Sequence, residues 1–183
     1  MTTRILFLSV SLSLVLGSSA RATVLIPADL GELSRDARAI AYGRVAALDA
    51  QRTDDRGTIE TIVTLEVETY LKGGLGPTIR FRTPGGDLGR FRSVVVGAPE
   101  FAIDQRVVVF LGAHGPSVPY ILGLSQGVYR VVRGAAGGWV VTPPAMLAAT
   151  PASVPIVRGD PSRRAVGLGD FEERVRALAA GAR

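Results

Sequence analysis

The chain has 183 residues, 21 of them basic and 16 acidic, with one histidine, no cysteine and a formal charge of +5. The absence of thiols excludes disulfides and a cysteine-borne lipid anchor, and one histidine is too few for the zinc sites that need several Cys or His ligands. Lys72 is the only lysine, so the basicity is carried by arginine and reads as a coding bias more than as adaptation to a polyanion.

The chain opens like a secretory signal: Arg4, an apolar and serine-rich run over residues 5–17, then Ala20-Arg21-Ala22 as an A-x-A site. This predicts cleavage after Ala22 and a mature chain that starts at Thr23. Loss of Arg4 and Arg21 leaves a charge of +3. The 13 residues of the run fall short of the roughly 20 that a spanning helix needs. The expectation is an exported product, periplasmic or extracellular, without a membrane span or lipid anchor.

After Pro27, Asp29 and Glu32 form a capping-box pattern that predicts one or two helical turns through Arg35. Residues 38–48 read as a first strand, with Gly43 suited to a bend or bulge. Residues 58–71 alternate with period 2: Ile59, Val63, Leu65, Val67 and Leu71 on one face, Glu60, Thr64, Glu66, Glu68 and Tyr70 on the other. Strands are expected at 78–83 and 90–96, paired as a hairpin about the turn 84–89, and at 106–111, whose apolar run suits burial on both faces. Residues 120–133 read as one long strand bent at Gly123 and Gly127, and residues 139–142 as a last strand. The Pro/Ala-rich stretch 143–167 reads as a loosely packed connection or a partly disordered arm, with no regular structure assigned to it. A C-terminal helix is expected from an Asp170/Glu173 cap, with Phe171, Val175 and Leu178 as its apolar stripe and Gly181 able to cap it.

Gly123-Leu124-Ser125-Gln126-Gly127 matches the G-x-S-x-G nucleophile elbow, which needs a strand, a sharp turn and a helix. The residues after Ser125 are a strand by composition, and His114 precedes the serine, so no catalytic residue is assigned. No cofactor or metal site is predicted either. Arg80-Phe81-Arg82 and Arg90-Phe91-Arg92 are the more informative constellation: hairpin pairing would gather four guanidinium groups on one face and put both rings in the core. Arg80, Arg82, Arg90 and Arg92 are thus a candidate face for an anionic ligand. The competing reading neutralises them by cross-strand pairing with Glu60, Glu66 and Glu68.

Residues 37–45 (ARAIAYGRV), 67–73 (VETYLKG), 84–86 (PGG), 97–101 (GAPEF) and 106–111 (RVVVFL) together resemble a group of bacterial exported proteins with a netrin-like or OB-type barrel. That fold is shared with the tissue inhibitors of metalloproteinases, and the resemblance spans less than half the chain. In those inhibitors a mature N-terminal cysteine, held by a disulfide, directs its amine and carbonyl to the protease zinc. Thr23 stands in that place here.

The sequence therefore predicts a mainly β protein: a small OB-like, netrin-like β-barrel with a short N-terminal helix and a C-terminal helix. Its parts are a signal peptide (1–22), a barrel domain (23–142), a connection (143–167) and a terminal helix (168–183). The expected role is a non-catalytic module that recognises a protein or envelope polymer rather than nucleic acid. The alternatives are protease inhibition through residues 23–27 and, more remotely, a serine hydrolase built on Ser125.

Overall fold

The computed structural model describes residues 28–53, 57–115, 117–144 and 164–181. The predicted signal with its cut after Ala22, residues 23–27 and most of the 143–167 connection lie outside these residues. Asp29 opens a helix, α1 (Leu30–Asp36), through a complete capping box: Glu32 N donates to Asp29 Oδ1 at 2.7 Å and Asp29 N to Glu32 Oε2 at 3.1 Å. At the other end, the Lys72 ammonium donates to the carbonyls of Ser34 and Arg35 at 2.9 and 2.7 Å. A cation there satisfies carbonyls that the helix itself leaves unpaired.

Strands β1 (Ala39–Arg52) and β2 (Ile59–Lys72) pair antiparallel over their length. β1 runs past residue 48, its expected end, because backbone pairing with β2 carries a largely exposed stretch that has no apolar alternation to reveal it. Gly43 sits at a bulge, and a Cβ there would lie 2.1 Å from the Glu66 carbonyl oxygen. The remaining strands are β3 (Thr78–Pro84), β4 (Gly86–Leu88), β5 (Phe91–Ser93), β6 (Arg106–Gly112), β7 (Tyr120–Ile121), β8 (Val128–Arg133), β9 (Trp139–Thr142) and β10 (Val166–Gly167), followed by helix α2 (Leu168–Ala180). The protein is mainly β with one short helix and one C-terminal helix.

Five strands form a closed circuit of pairings, β1-β2-β3-β7-β6 and back to β1, with the β3–β7 contact parallel and the others antiparallel. β8, β9 and β10 extend the sheet from β6. Inside the circuit lie Val45, Val63, Leu65, Phe81, Val107 and Val109. A second cluster packs the helices on the outside: Leu33, Ile40, Phe110, Val141, Phe171 and Val175. Phe171 and Val175 are the buried residues of the α2 stripe. Tyr129 lies between Phe110 and Phe171, at ring distances of 5.6 and 4.9 Å, and burial pushes its phenol up to about 12.

Four expectations need correction. The strands carrying the arginines do not pair with each other: β3 pairs with β2 and β7, whereas β5 pairs with β4. Gly85 and Gly86, at φ 85° and 141°, take conformations open to glycine and detach the β4–β5 ribbon from β3. The run 120–133 is not continuous, because a 3₁₀ turn, Leu124–Gly127, enters through the left-handed Gly123 and divides it into β7 and β8. At the end of the 143–167 stretch, where the sequence predicts no strand, Val166 and Gly167 pair with Val141 and Val140. Finally, Asp170 does not cap α2: Gly167 is the N-cap, and no side-chain cap is made.

Candidate functional site

The site is built by a parity change in β1. Val45 pairs with Leu65 inside the circuit, and the register shift between Val45 and Ala47 then places Leu48 opposite Val63 and Ala50 opposite Thr61. Directly opposed residues share a face, so Leu48 and Ala50 continue the interior lining toward the end of the strands. Thr61 in turn faces Thr83, and Val63 faces Phe81. The interior is thus apolar to the level of Val63 and Phe81 and becomes hydroxyl-lined at its mouth.

The β4–β5 ribbon and the segment after it fold over this mouth. Gly85 N donates to Ile59 O at 2.9 Å, and the Thr61 hydroxyl donates to Gly85 O at 2.8 Å. Gly86 comes so close that a Cβ would stand 2.2 Å from Thr61 Oγ1. Between them remains a cleft of about 390 Å³. Thr83 and Phe101 form part of its lining, with Val95 along one wall and Asp87, Arg92 and Glu100 at the rim. Phe101 meets Phe81 edge-on at 5.6 Å. The Thr83 hydroxyl is buried and has no hydrogen-bond partner, the sole such side-chain atom among the described residues. A buried hydroxyl without a partner costs about 1–3 kcal/mol. Val94, 74% exposed, stands at the opening.

The four arginines are distributed rather than gathered. Arg80 and Arg82 are exposed on the outer face of β3, opposite Thr64 and Ile62, and form no ion pair among the described residues. Arg92 reaches the rim of the cleft and pairs loosely with Asp87 at 3.5 Å and Glu100 at 3.9 Å. Arg90 and Arg52 lie over the Phe91 ring at 5.0 and 4.9 Å. Phe91 is therefore an exposed cation-stacking ring, unlike Phe81, which is fully buried as expected. The glutamates expected to neutralise this group are engaged elsewhere. Glu66 pairs with Arg44 at 2.5 Å, Glu68 pairs with Arg106, and Glu60 accepts from Gln51 at 3.0 Å. Arg106 also donates to the Tyr42 hydroxyl at 2.9 Å and lies over the Trp139 ring at 4.8 Å. Burial raises the Tyr42 phenol, and the Arg106 hydrogen bond acts against that rise.

Ser125 sits in the 3₁₀ turn with β8 following it, and its backbone N–H donates to Gly97 O at 2.9 Å. His114 is exposed and stacks on Tyr120 at 5.0 Å. The next residue along the turn does structural work: Gln126, 2% exposed, accepts a hydrogen bond from Ala28 N at 2.7 Å through its Oε1.

Among the described residues no helix is long and apolar enough to cross a membrane. No group of three or more metal-ligating side chains occurs among them either. Comparison with known proteins found no matching family model, no matching curated protein and no matching solved structure. The cleft residues carry a sequence signal that the arginine pattern overshadows: Thr61 and Thr83 at interior positions of two paired strands, the second followed at once by Gly85-Gly86.

Proposed function

We propose that this chain is an exported, non-catalytic binding module with a small OB-type, netrin-like barrel, and that it recognises a protein or envelope polymer at the mouth of its strand circuit. The barrel reading is supported by the closed five-strand pairing with a parallel β3–β7 contact; barrels of this class bind extended ligands on strand faces and adjoining loops. The observation that carries the site is the cleft with the unpartnered Thr83 hydroxyl in its lining. The lining is about as polar as apolar, with Thr61, Asp87 and Arg92 beside Val95 and Phe101, and placed polar groups of this kind orient a bound ligand. The export reading rests on the N-terminal sequence.

The test is capture from envelope and culture fractions by the mature protein, side by side with Ala98→Trp, which fills the cleft from its loop wall. A partner held by wild type and lost by the filled variant, with an unchanged melt, is the expected result. Equal capture by both moves the site elsewhere.

A second reading, protease inhibition through residues 23–27, gains from one observation. The inhibitors that the chain resembles hold their N-terminus by a disulfide, and here Gln126 holds Ala28 by a hydrogen bond directly after those residues. One added residue before Thr23 separates the two readings, because it abolishes inhibition and leaves cleft binding intact.

A further inference from the structure

The ribbon over the mouth is two-stranded and, among the described residues, neither of its outer edges pairs with another strand. β5 pairs with β4 through Gly86↔Ser93, Asp87↔Arg92 and Leu88↔Phe91, and with no other strand among the described residues. The two-residue loop Gly89-Arg90 makes Leu88↔Phe91 the hydrogen-bonded pair that closes the hairpin. Antiparallel pairs alternate, so Gly86↔Ser93 is hydrogen-bonded as well, whereas the N–H and C=O of Arg92 point away from β4. The chain keeps this alternation beyond the strand: Ser93 O and Val95 N lie 2.8 and 3.6 Å from where a Cβ on Gly85 would be, so the Val94 backbone faces outward like that of Arg92. No backbone hydrogen bond engages Val94 among the described residues.

We propose that this open edge, Arg92 to Val94, is a strand-addition site for an extended peptide segment of a partner protein, one of whose apolar side chains enters the adjacent cleft. The proposal rests on the reading of the mouth as the binding end and names the partner's form. Unpaired backbone donors and acceptors on an extended strand call for another strand rather than for a helix or a sugar. The edge is short, β5 being three residues long. Arg92 meets Asp87 across the ribbon at 3.5 Å, and Val94, 74% exposed, leaves space beside the edge for a short added strand. Side chains of an added strand alternate between its two faces, so every second one could reach the space lined by Val95, Phe101 and Thr83.

A library of linear seven-residue peptides displayed on phage, selected on the mature wild-type protein, supplies the probe. An enriched peptide is then synthesised with and without N-methyl groups at alternating backbone nitrogens and titrated calorimetrically. The expected result is at least tenfold weaker binding after N-methylation in one of the two alternating frames. A similar loss is expected in Val94→Pro, which removes the edge N–H, while Val94→Thr stays within about threefold of wild type. Failure to enrich any peptide, or affinity indifferent to N-methylation in both frames, overturns strand addition, and the N-methyl comparison holds even if Val94→Pro is poorly folded. Should partner capture remain sensitive to Ala98→Trp while peptides fail, the mouth stands as the binding site and strand addition alone falls.

Discussion

Gln126 Oε1 accepts the Ala28 amide at 2.7 Å across 98 residues of sequence, tying the first described residue to the turn that joins β7 to β8. A part-buried amide that loses its acceptor keeps much of its desolvation cost. Gln126→Met keeps the volume and removes the acceptor, and should destabilise the fold by about 1–3 kcal/mol. Urea unfolding with an unchanged m-value measures this. A midpoint equal to that of wild type would show that the tie contributes nothing.

Two glycines should respond oppositely to the same substitution. At Gly43 the added methyl would meet the Glu66 carbonyl at 2.1 Å inside the longest strand pair, so Gly43→Ala should cost about 3 kcal/mol through forced separation of β1 and β2. At Gly74 no atom lies within 4 Å of the added methyl, and Gly74→Ala should be neutral or stabilising by up to about 1 kcal/mol, acting on the unfolded chain. Thermal melts of the two variants decide this directly.

Tyr129 makes alkaline stability a measurable property of the outer core. Its phenol ionises at about 12 in the fold because burial disfavours the phenolate and near 10 in the unfolded chain. The unfolded state therefore loses its proton first. The contribution is fully present below pH 10 and is lost as pH rises through 12, by about 3 kcal/mol in all. Tyr129→Phe should flatten this part of the profile of unfolding free energy against pH. Ultraviolet titration of the folded protein should show a tyrosinate step near pH 12 that the variant lacks.

Strand existence was legible wherever alternation or an all-apolar run carried it, as in β2 and β6, and the α1 cap was legible because a capping box is a local code. Tertiary pairing was not. Arg80-Phe81-Arg82 and Arg90-Phe91-Arg92 look equivalent in sequence, yet two glycines at positive φ send one into the main sheet and the other into a separate ribbon. The cleft was hidden for a related reason: a single extra residue in β1 reverses which side chains of residues 47–50 face inward, and bulges leave little trace in composition. β10 is two residues long and owes its extension to β9 rather than to its own pattern.

The arginines give the sharpest contrast between exposed charge and structural charge. Arg106 is tied to Glu68, to the Tyr42 hydroxyl and to the Trp139 ring, and Arg106→Gln should lower stability by about 1–2 kcal/mol through loss of the hydrogen bond and the cation–π contact. Arg80 and Arg82 have no ion-pair partner among the described residues, because Glu66 is taken by Arg44 and Glu60 by Gln51. Their joint replacement by Gln should therefore change stability by no more than about 0.5 kcal/mol. A retained melt in that double variant, together with lost, salt-sensitive retention on an acidic glycan matrix, would assign the outer face of β3 to an anionic ligand. Retention that is unaffected, or absent in wild type as well, leaves the mouth cleft as the binding end. A marked drop in the melt would mean that the two guanidinium groups support the sheet through their aliphatic stems over Ile62, which is 4% exposed and faces Arg82 in register.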